Sequence, residues 1–194
     1  MPPKSSNMLL RIIHDVAYVD VETKKFPGAV ALVNVEDLAR VFDGGGRWQA
    51  ATMNDRPDSN IYVVRNVGGR KSRRFQFLHR IILGLRGKKR ADHISGDGLD
   101  NRRRNLRRAT QRQNVINSRR RAGGSSQYRG VSLDGHSMKW KAQIADRIKG
   151  RRKNRYLGRF DMEVDAARAY DVAARKLFGE FARLNFPEEH SGKQ

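Results

Sequence analysis

The chain has 194 residues, with 41 Lys and Arg against 20 Asp and Glu, which gives a formal net charge of +21. A balance this basic concentrates polyanions, so nucleic acid is the default partner and a basic partner is excluded. Cysteine is absent, which excludes disulfides and cysteine–zinc knuckles, so that any metal must be held by oxygen and nitrogen ligands.

The first residues carry a short apolar patch, LLRII, which is broken by Arg11. This patch is too short and too charged for a signal peptide. No run in the sequence approaches the roughly 18 apolar residues that a membrane-spanning helix needs. We therefore expect a chain that stays in a cytoplasm and does not bind a membrane.

Residues 1–78 predict a small β-rich region. The segments VALV, RWQAAT, NIYVVRNV and RFQFL indicate strands, and EDLARVF after the first of them indicates a helix that ends at DGGG. HRIILGL then begins a short helix in which His79 packs or caps the helix start. The sequence assigns no chemistry to this region.

The next segment, KRADHISGDGLDNRRRNLRRATQRQNVINSRR, places Asp92 beside His93. Asn105 and Asn114 follow 12 and 21 residues after that histidine. KRADHI and LRRAT predict two short strands, SGDGLDN predicts a loop rich in turn residues, and QRQNVINSRR predicts a helix. Asp92 and His93 can share one site only if the first strand ends or twists between them, because strand neighbours point to opposite faces.

These residue types fit the cleavage of a phosphodiester. A histidine can take the proton from a water near neutral pH, so His93 is a candidate general base. Asp92 offers an anionic oxygen and Asn114 a neutral one, and such ligands favour Mg²⁺ or Mn²⁺. The plainer alternative is that the Asp-His pair and the asparagines are ordinary turn and cap residues.

This pattern resembles the ββα-metal site of HNH endonucleases, in the variant with asparagine at the final position. The resemblance implies a nuclease domain over residues 79–121, of the homing type found in bacteriophage and bacterial mobile elements. It implies His93 as the base, Asp92 and Asn114 as ligands of Mg²⁺ or Mn²⁺, and Asn105 as the residue that pins the loop. Arginines around the site would neutralise DNA phosphates, namely Arg102, Arg103, Arg107, Arg108, Arg119 and Arg120.

Residues 122–127, with the run GGSSQ, predict a flexible linker, and residues 128–188 predict a last compact unit followed by a tail at 189–194. The strands are YRGVS, KWKAQIAD and NRYLGRF. The helix runs from Met162 to Phe178, with Asp161 as N-cap and Gly179 just past the end. Along the middle strand Trp140, Ala142 and Ile144 alternate with Lys139, Lys141 and Gln143, which predicts an apolar face toward the helix and a polar face outward.

This last unit resembles the Apetala/ERF-type DNA-binding domain through YRGV, YLGRFD, AARAYDVAA and LNFP. The resemblance implies a three-stranded antiparallel sheet that enters the major groove, backed by one helix. Ser132, Ala145 and Asn154 stand where plant members often carry arginine, so the plant target sequence should not carry over. The residues expected to contact DNA are Arg129, Lys139, Lys141, Gln143, Arg155 and Tyr156.

Together these features predict an α+β chain. It consists of a β-rich N-terminal region, a ββα-metal (HNH) nuclease site, and a three-stranded antiparallel sheet packed on one helix. The predicted function is a metal-dependent DNA endonuclease, acting as a monomer on double-stranded DNA in a bacterial or phage-infected cell, without a small-molecule cofactor. Two alternatives remain: a non-enzymatic DNA-binding transcription regulator with a decayed HNH segment, and a structure-specific or weakly specific nickase.

Overall fold

The computed structural model describes residues 9–53, 60–69, 72, 74–118, 123–148 and 151–187. The chain divides into two compact units, Met1–Asn114 (unit 1) and Val115–Gln194 (unit 2). Both units mix helices with antiparallel sheets, which confirms the predicted α+β class. The division falls seven residues before the predicted end of the nuclease domain at 121, and residues 1–78 share a unit with the segment that follows them. The predicted tail at 189–194 lies outside the described residues.

Unit 1 opens with a three-stranded antiparallel sheet in the order β1-β2-β3: β1 (Leu9–Ile13), β2 (Val16–Asp20) and β3 (Val30–Asn34). Ala17 and Val19 on β2 are fully buried while their neighbours are half-buried, the alternation of a strand with one face on a core. Sequence patterns predicted only β3.

A second antiparallel sheet of unit 1 has the order β4-β5-β6: β4 (Gln49–Thr52), β5 (Ile61–Asn66) and β6 (Phe75–Phe77). All three strands were predicted. A 3-10 turn at Val35–Asp37 leads into the short helix α1 (Leu38–Phe42), and α2 (Leu78–Ile82) follows β6 directly.

The core of unit 1 lies between these elements. Its largest buried side chain is Trp48, whose Nε1 donates a hydrogen bond to the carbonyl oxygen of Val41 at 2.7 Å and whose ring lies 4.7 Å from the Arg65 guanidinium carbon. The bond satisfies the one polar atom of the indole, so the ring can be buried without an unpaired donor. Other core residues include Val33, Val63, Leu78, Ile82 and Leu106.

An antiparallel hairpin and a helix complete unit 1: β7 (Arg90–His93), β8 (Leu106–Ala109) and α3 (Gln111–Asn117), whose last residues belong to unit 2. The long loop between the strands is fixed to β3, because Leu32 N–H donates to the Leu99 carbonyl at 3.0 Å and Asn101 N–H donates to the Leu32 carbonyl at 2.8 Å. A ββα arrangement is thus present at this position. Its chemistry is described below.

Unit 2 contains a three-stranded antiparallel sheet in the order β11-β10-β9, made by β9 (Val131–Asp134), β10 (Lys139–Ile148) and β11 (Arg151–Phe160). Helix α4 (Glu163–Phe178) buries Ala167, Tyr170 and Ala174 against it. Gly179 follows the helix with a φ of 55°, as predicted. The predicted N-cap is wrong, because Met162 occupies that position with no side-chain cap.

Segment 123–127 is held in place, in contrast to the predicted flexible linker. The Ser125 hydroxyl accepts the Leu133 N–H at 2.9 Å, and the buried Ser126 hydroxyl accepts the Tyr128 N–H at 2.9 Å. Gln127 N–H donates to the Glu163 carboxylate at 3.3 Å. These bonds fix the segment to β9 and to the start of α4.

Within the described part of the chain, no helix is long and apolar enough to cross a membrane.

Candidate nucleic-acid interface

The sheet of unit 2 has one face on α4 and one face free of it. On β10, Ala142 and Ile144 are buried at 0% and 1% exposure, and Trp140 packs beside them. This confirms the predicted phase of the alternation and makes Trp140 a packing residue. The intervening positions, Lys139, Lys141 and Gln143, therefore lie on the other side.

Cross-strand register extends this outer face to the neighbouring strands. Gln143 lies opposite Tyr156 of β11, and Lys141 lies between Ser132 of β9 and Arg159 of β11. Directly opposite residues share a face of the sheet. Tyr156 is 61% exposed, so a phenol ring stands beside an amide and an ammonium on an open surface.

A β-bulge changes the phase of β11 between these two rows. Ala142 pairs with Gly158 and Gln143 pairs with Tyr156, which leaves Leu157 as the extra residue. Gly158 has a φ of 136°, a conformation that favours glycine. A bulge flips the following side chains to the opposite face, so Tyr156 and Arg159 share the outer face although they are three positions apart, an odd spacing that would put them on opposite faces of a regular strand.

The bulge also corrects one predicted DNA contact. Arg155 lies opposite Ile144, which places it on the α4 side of the sheet. There its Nη2 forms an ion pair with the buried Asp146 carboxylate at 3.0 Å. Arg155 therefore does not belong to the outer face, whereas Arg159, which the sequence reasoning missed, does. The signal that could have identified it is Gly158, because a glycine within a strand often marks a bulge.

Two further predicted contacts of unit 2 have internal partners, since Lys139 Nζ lies 3.0 Å from the Asp161 carboxylate and Arg129 binds within the unit. Its guanidinium donates to the carbonyl oxygen of Ser118. Burial raises the pKa of Tyr170, and the Arg129 guanidinium, which also hydrogen bonds to Tyr170, acts in the opposite direction. A DNA contact by Arg129 stays a prediction.

A buried carboxylate fixes the end of unit 2 to α4. Asp171 is 1% exposed and accepts the backbone N–H groups of Asn185 and Phe186, each at 2.8 Å. The Asn185 carboxamide in turn accepts the Arg129 N–H at 2.7 Å and donates to the Arg129 carbonyl at 3.2 Å. These hydrogen bonds join three sequence segments, AYD of α4, LNFP at the end of the unit and YRGV, which leads into β9. The network holds α4 and the sheet together.

In unit 1, the predicted metal ligand Asp92 is already paired. It lies directly across the hairpin from Arg107, whose Nε and Nη2 both donate to Asp92 Oδ2, at 2.9 and 2.8 Å. The two side chains are only 10% and 12% exposed. Arg107, a predicted DNA contact, is therefore occupied as the partner of a nearly buried carboxylate.

The predicted base His93 lies inside an aromatic cluster. Its ring meets that of His79 edge-on at 4.9 Å, and Tyr62 lies 6.1 Å away. His93 is 6% exposed, and its Nε2 lies 3.4 Å from Asn101 Oδ1. Burial lowers the pKa of both histidines, that of His79 to about 3, so both rings are neutral packing groups near neutral pH.

The asparagines of this segment are mainly occupied with backbone. Asn105 accepts the Ser95 N–H at 2.9 Å and donates to the Asp100 carbonyl at 2.8 Å, so it pins the loop as expected. Asn114 donates to the Ala91 carbonyl at 3.0 Å, and its Oδ1 is buried without a hydrogen bond from any described residue.

The only acidic member of this predicted ligand set already has a protein partner. The Asp92 carboxylate is neutralised by the Arg107 guanidinium, and no group of three or more His, Asp and Glu side chains in the described ranges could hold a metal ion. Binding of Mg²⁺ or Mn²⁺ rests on the sequence pattern alone and stays a prediction.

Two of the remaining predicted phosphate contacts of unit 1 also have internal partners. Arg102 forms two hydrogen bonds with Asp100, at 2.8 and 2.6 Å, and Arg103 forms two with the fully buried Asp37, at 2.8 and 2.6 Å. Arg108 is exposed and makes no ion pair with a described residue. Arg119 and Arg120 lie outside the described residues.

Residues 126–180 match the AP2 domain. The chain carries an AP2/ERF-type DNA-binding domain. It is 39% identical over 85 residues to the AP2-like ethylene-responsive transcription factor PLT2 of Arabidopsis thaliana, a match that covers 42% of this chain and 15% of the relative. The Dehydration-responsive element-binding protein 2D of the same plant is 52% identical over 50 residues, 26% of this chain and 23% of the relative.

The APETALA2-like protein 2 of Oryza sativa subsp. indica is 47% identical over 66 residues, which is 34% of this chain and 14% of that protein. The chain thus spans less than a quarter of the length of each of these relatives.

These relatives overturn the predicted endonuclease. PLT2 is a transcription factor by name and the second relative is an element-binding protein by name, and proteins of the AP2/ERF family are transcription regulators, not nucleases. The catalytic roles of His93 and Asn105 rest on the sequence pattern alone. In the structure His93 is part of a buried aromatic cluster and Asn105 holds a loop.

Proposed function

We propose that this chain is a DNA-binding transcription regulator that inserts the outer face of its unit 2 sheet into the major groove of double-stranded DNA. The observation that carries the proposal is the pairing of Gln143 with Tyr156 beside Lys141 on a face that α4 leaves open. A narrow antiparallel sheet fits the major groove, and amide side chains read base edges there.

The rigidity of the scaffold supports the proposal. Asp171, Asn185 and Gly130 hold the sheet, α4 and the last described residues as one body. Side chains held in this way lose little further conformational freedom on binding, which favours discrimination between sequences. The net charge of +21 adds sequence-independent attraction to phosphates.

The test is a selection from a randomised duplex library with the full chain, followed by dissociation constants from fluorescence anisotropy. We expect a preferred duplex that binds about 10³-fold or more tightly than a shuffled one. Gln143→Ala with Tyr156→Ala should reduce that ratio by at least about tenfold. Arg155→Ala, on the α4 side, is the matched control and should keep it. Equal affinity of the natural chain for all duplexes would contradict the proposal.

Regulation is a separate part of the same proposal. A reporter gene placed behind the selected duplex should change its expression when the chain is produced, and the Gln143→Ala, Tyr156→Ala variant should not change it. The predicted setting in a bacterial or phage-infected cell stays a prediction, as does the monomeric state. The relatives described above come from plants.

A further inference from the structure

Arg159 is held across the outer face of the sheet by an aspartate two strands away. Its Nε lies 2.7 Å from Asp134 Oδ2. Arg159 belongs to β11 and Asp134 to β9, with β10 between them. The arginine side chain therefore crosses β10 on the face where Lys141, its strand partner, also lies.

The aspartate is itself fixed. Asp134 Oδ2 accepts the Ser137 hydroxyl at 3.0 Å, and Oδ1 accepts the His136 N–H at 3.3 Å. The hydrogen bond from Ser137 lowers the pKa of Asp134, so the carboxylate is ionised at neutral pH. Asp134 is largely covered, with 17% of its side chain exposed, while 52% of the Arg159 side chain is exposed. The carboxylate is therefore mostly covered, whereas the guanidinium remains accessible to a ligand.

This geometry leaves a defined set of donors. A guanidinium has five N–H donors in a planar fork, and the contact with Asp134 uses Nε. The terminal Nη1 and Nη2 groups remain, and a fork of two parallel donors matches the O6 and N7 acceptors of guanine in the major groove. A phosphate contact needs no such orientation.

We propose that Arg159, oriented by Asp134, reads one guanine in the major groove and so determines specificity at one base pair of the target. This inference rests on the proposed function, since it assigns a base to the same outer face. It distinguishes Arg159 from Arg155, an exposed arginine of the same strand that is paired with Asp146 on the opposite face.

The experiment takes the preferred duplex from the selection and measures the dissociation constant after replacing each base pair in turn. For the natural chain, replacing one G·C pair by A·T should weaken binding about 5- to 150-fold. Arg159→Lys keeps the charge but loses the fork, so its discrimination at that pair should fall to within about threefold while other positions stay unchanged. Asp134→Asn should reduce discrimination at the same pair, and Arg155→Lys should leave every position unchanged.

A second measurement leaves the protein intact. Replacing the guanine by 7-deazaguanine removes the N7 acceptor, so binding of the natural chain should weaken several-fold and that of Arg159→Lys should not change further. This arm decides the question even if a variant folds poorly. Uniform weakening of Arg159→Lys on all duplexes, or no effect of 7-deazaguanine, would overturn the inference alone. Absence of any preferred duplex would instead overturn the proposed function.

Discussion

Gly130 is the position in YRGV where the structure accepts no side chain. It has a φ of +74°, and a Cβ at this position would lie 2.0 Å from Cδ2 of Tyr170 and 2.6 Å from the carbonyl oxygen of Gln143. Neither neighbour can move freely, because one is a buried ring on α4 and the other is the backbone of the central strand. Only glycine allows the chain to pass between helix and sheet here.

We therefore expect Gly130→Ala to destabilise unit 2 by about 3 kcal/mol or more, from steric overlap and backbone strain. The chain has two tryptophans, Trp48 in unit 1 and Trp140 in unit 2, so urea unfolding in a Trp48→Phe background reports unit 2 alone. Gly135→Ala is the control, because a Cβ there meets nothing within 4 Å. Equal midpoints for both variants would refute the steric argument.

The buried His79 predicts a dependence of unit 1 stability on pH. Burial lowers its pKa from 6.5 to about 3, so below pH 6.5 the unfolded chain binds a proton that the folded chain does not. The stabilising contribution is complete above about pH 6.5 and is lost as the pH falls from there toward 3. We expect a loss on the order of 1–2 kcal/mol between pH 6.5 and 5.

The measurement is urea unfolding of the Trp140→Phe chain, in which Trp48 reports unit 1. His79→Phe should flatten the decline between pH 6.5 and 5, although His93, whose pKa burial also lowers, will leave part of it. His14→Asn is the control, because the His14 side chain is exposed. A decline equally steep in His79→Phe and the natural chain would show that the buried imidazole is not its source.

At the scale of elements, the register of the β7–β8 hairpin determines which charged side chains face each other. The pairing of Asp92 with Arg107 across the strands creates a nearly buried ion pair. Removing one member leaves an uncompensated charge, so Asp92→Ala should destabilise unit 1 by about 3–5 kcal/mol, whereas Asp92→Leu with Arg107→Met should cost much less. Trp48 fluorescence in the Trp140→Phe background measures both. A small effect of Asp92→Ala, below about 1 kcal/mol, would contradict a structural role.

Register also explains what the sequence could and could not predict. The strands β3 to β11, the helices and the packing of Trp140 follow from apolar periodicity and turn residues, which are local signals. β1 was missed because the charged, exposed Arg11 interrupts LLRII, where its guanidinium lies over the Tyr18 ring at 4.5 Å.

The candidate site was harder to predict because its residues are defined by cross-strand partners. Local spacing placed Asp92 and His93 in a known pattern, but it could not show that Arg107 would face the aspartate or that an aromatic cluster would enclose the histidine. The bulge at Leu157 and Gly158 likewise decides that Arg159, and not Arg155, lies on the outer face.

At the scale of the whole molecule, charge governs how binding responds to salt. Each phosphate neutralised by the protein contributes about −0.9 to the slope of log affinity against log salt concentration. Lys141 has no ion pair with a described residue and lies on the outer face. Lys141→Gln should therefore make the slope shallower by about 1. The check is anisotropy of the full chain from 50 to 200 mM salt, and an unchanged slope would exclude a phosphate contact by Lys141.

Two arginines from elsewhere in unit 2 bind the carboxyl end of α3, and they determine where the DNA-binding module begins. Arg129 donates to the carbonyl of Ser118, and Arg183 Nη1 donates to the carbonyl of Asn117 at 3.4 Å, so two cations satisfy the last carbonyls of this helix. The match to the AP2 domain starts at residue 126, after those carbonyls. A transplanted fragment that begins there would release both guanidiniums, and a portable version of this module should start before Asn117.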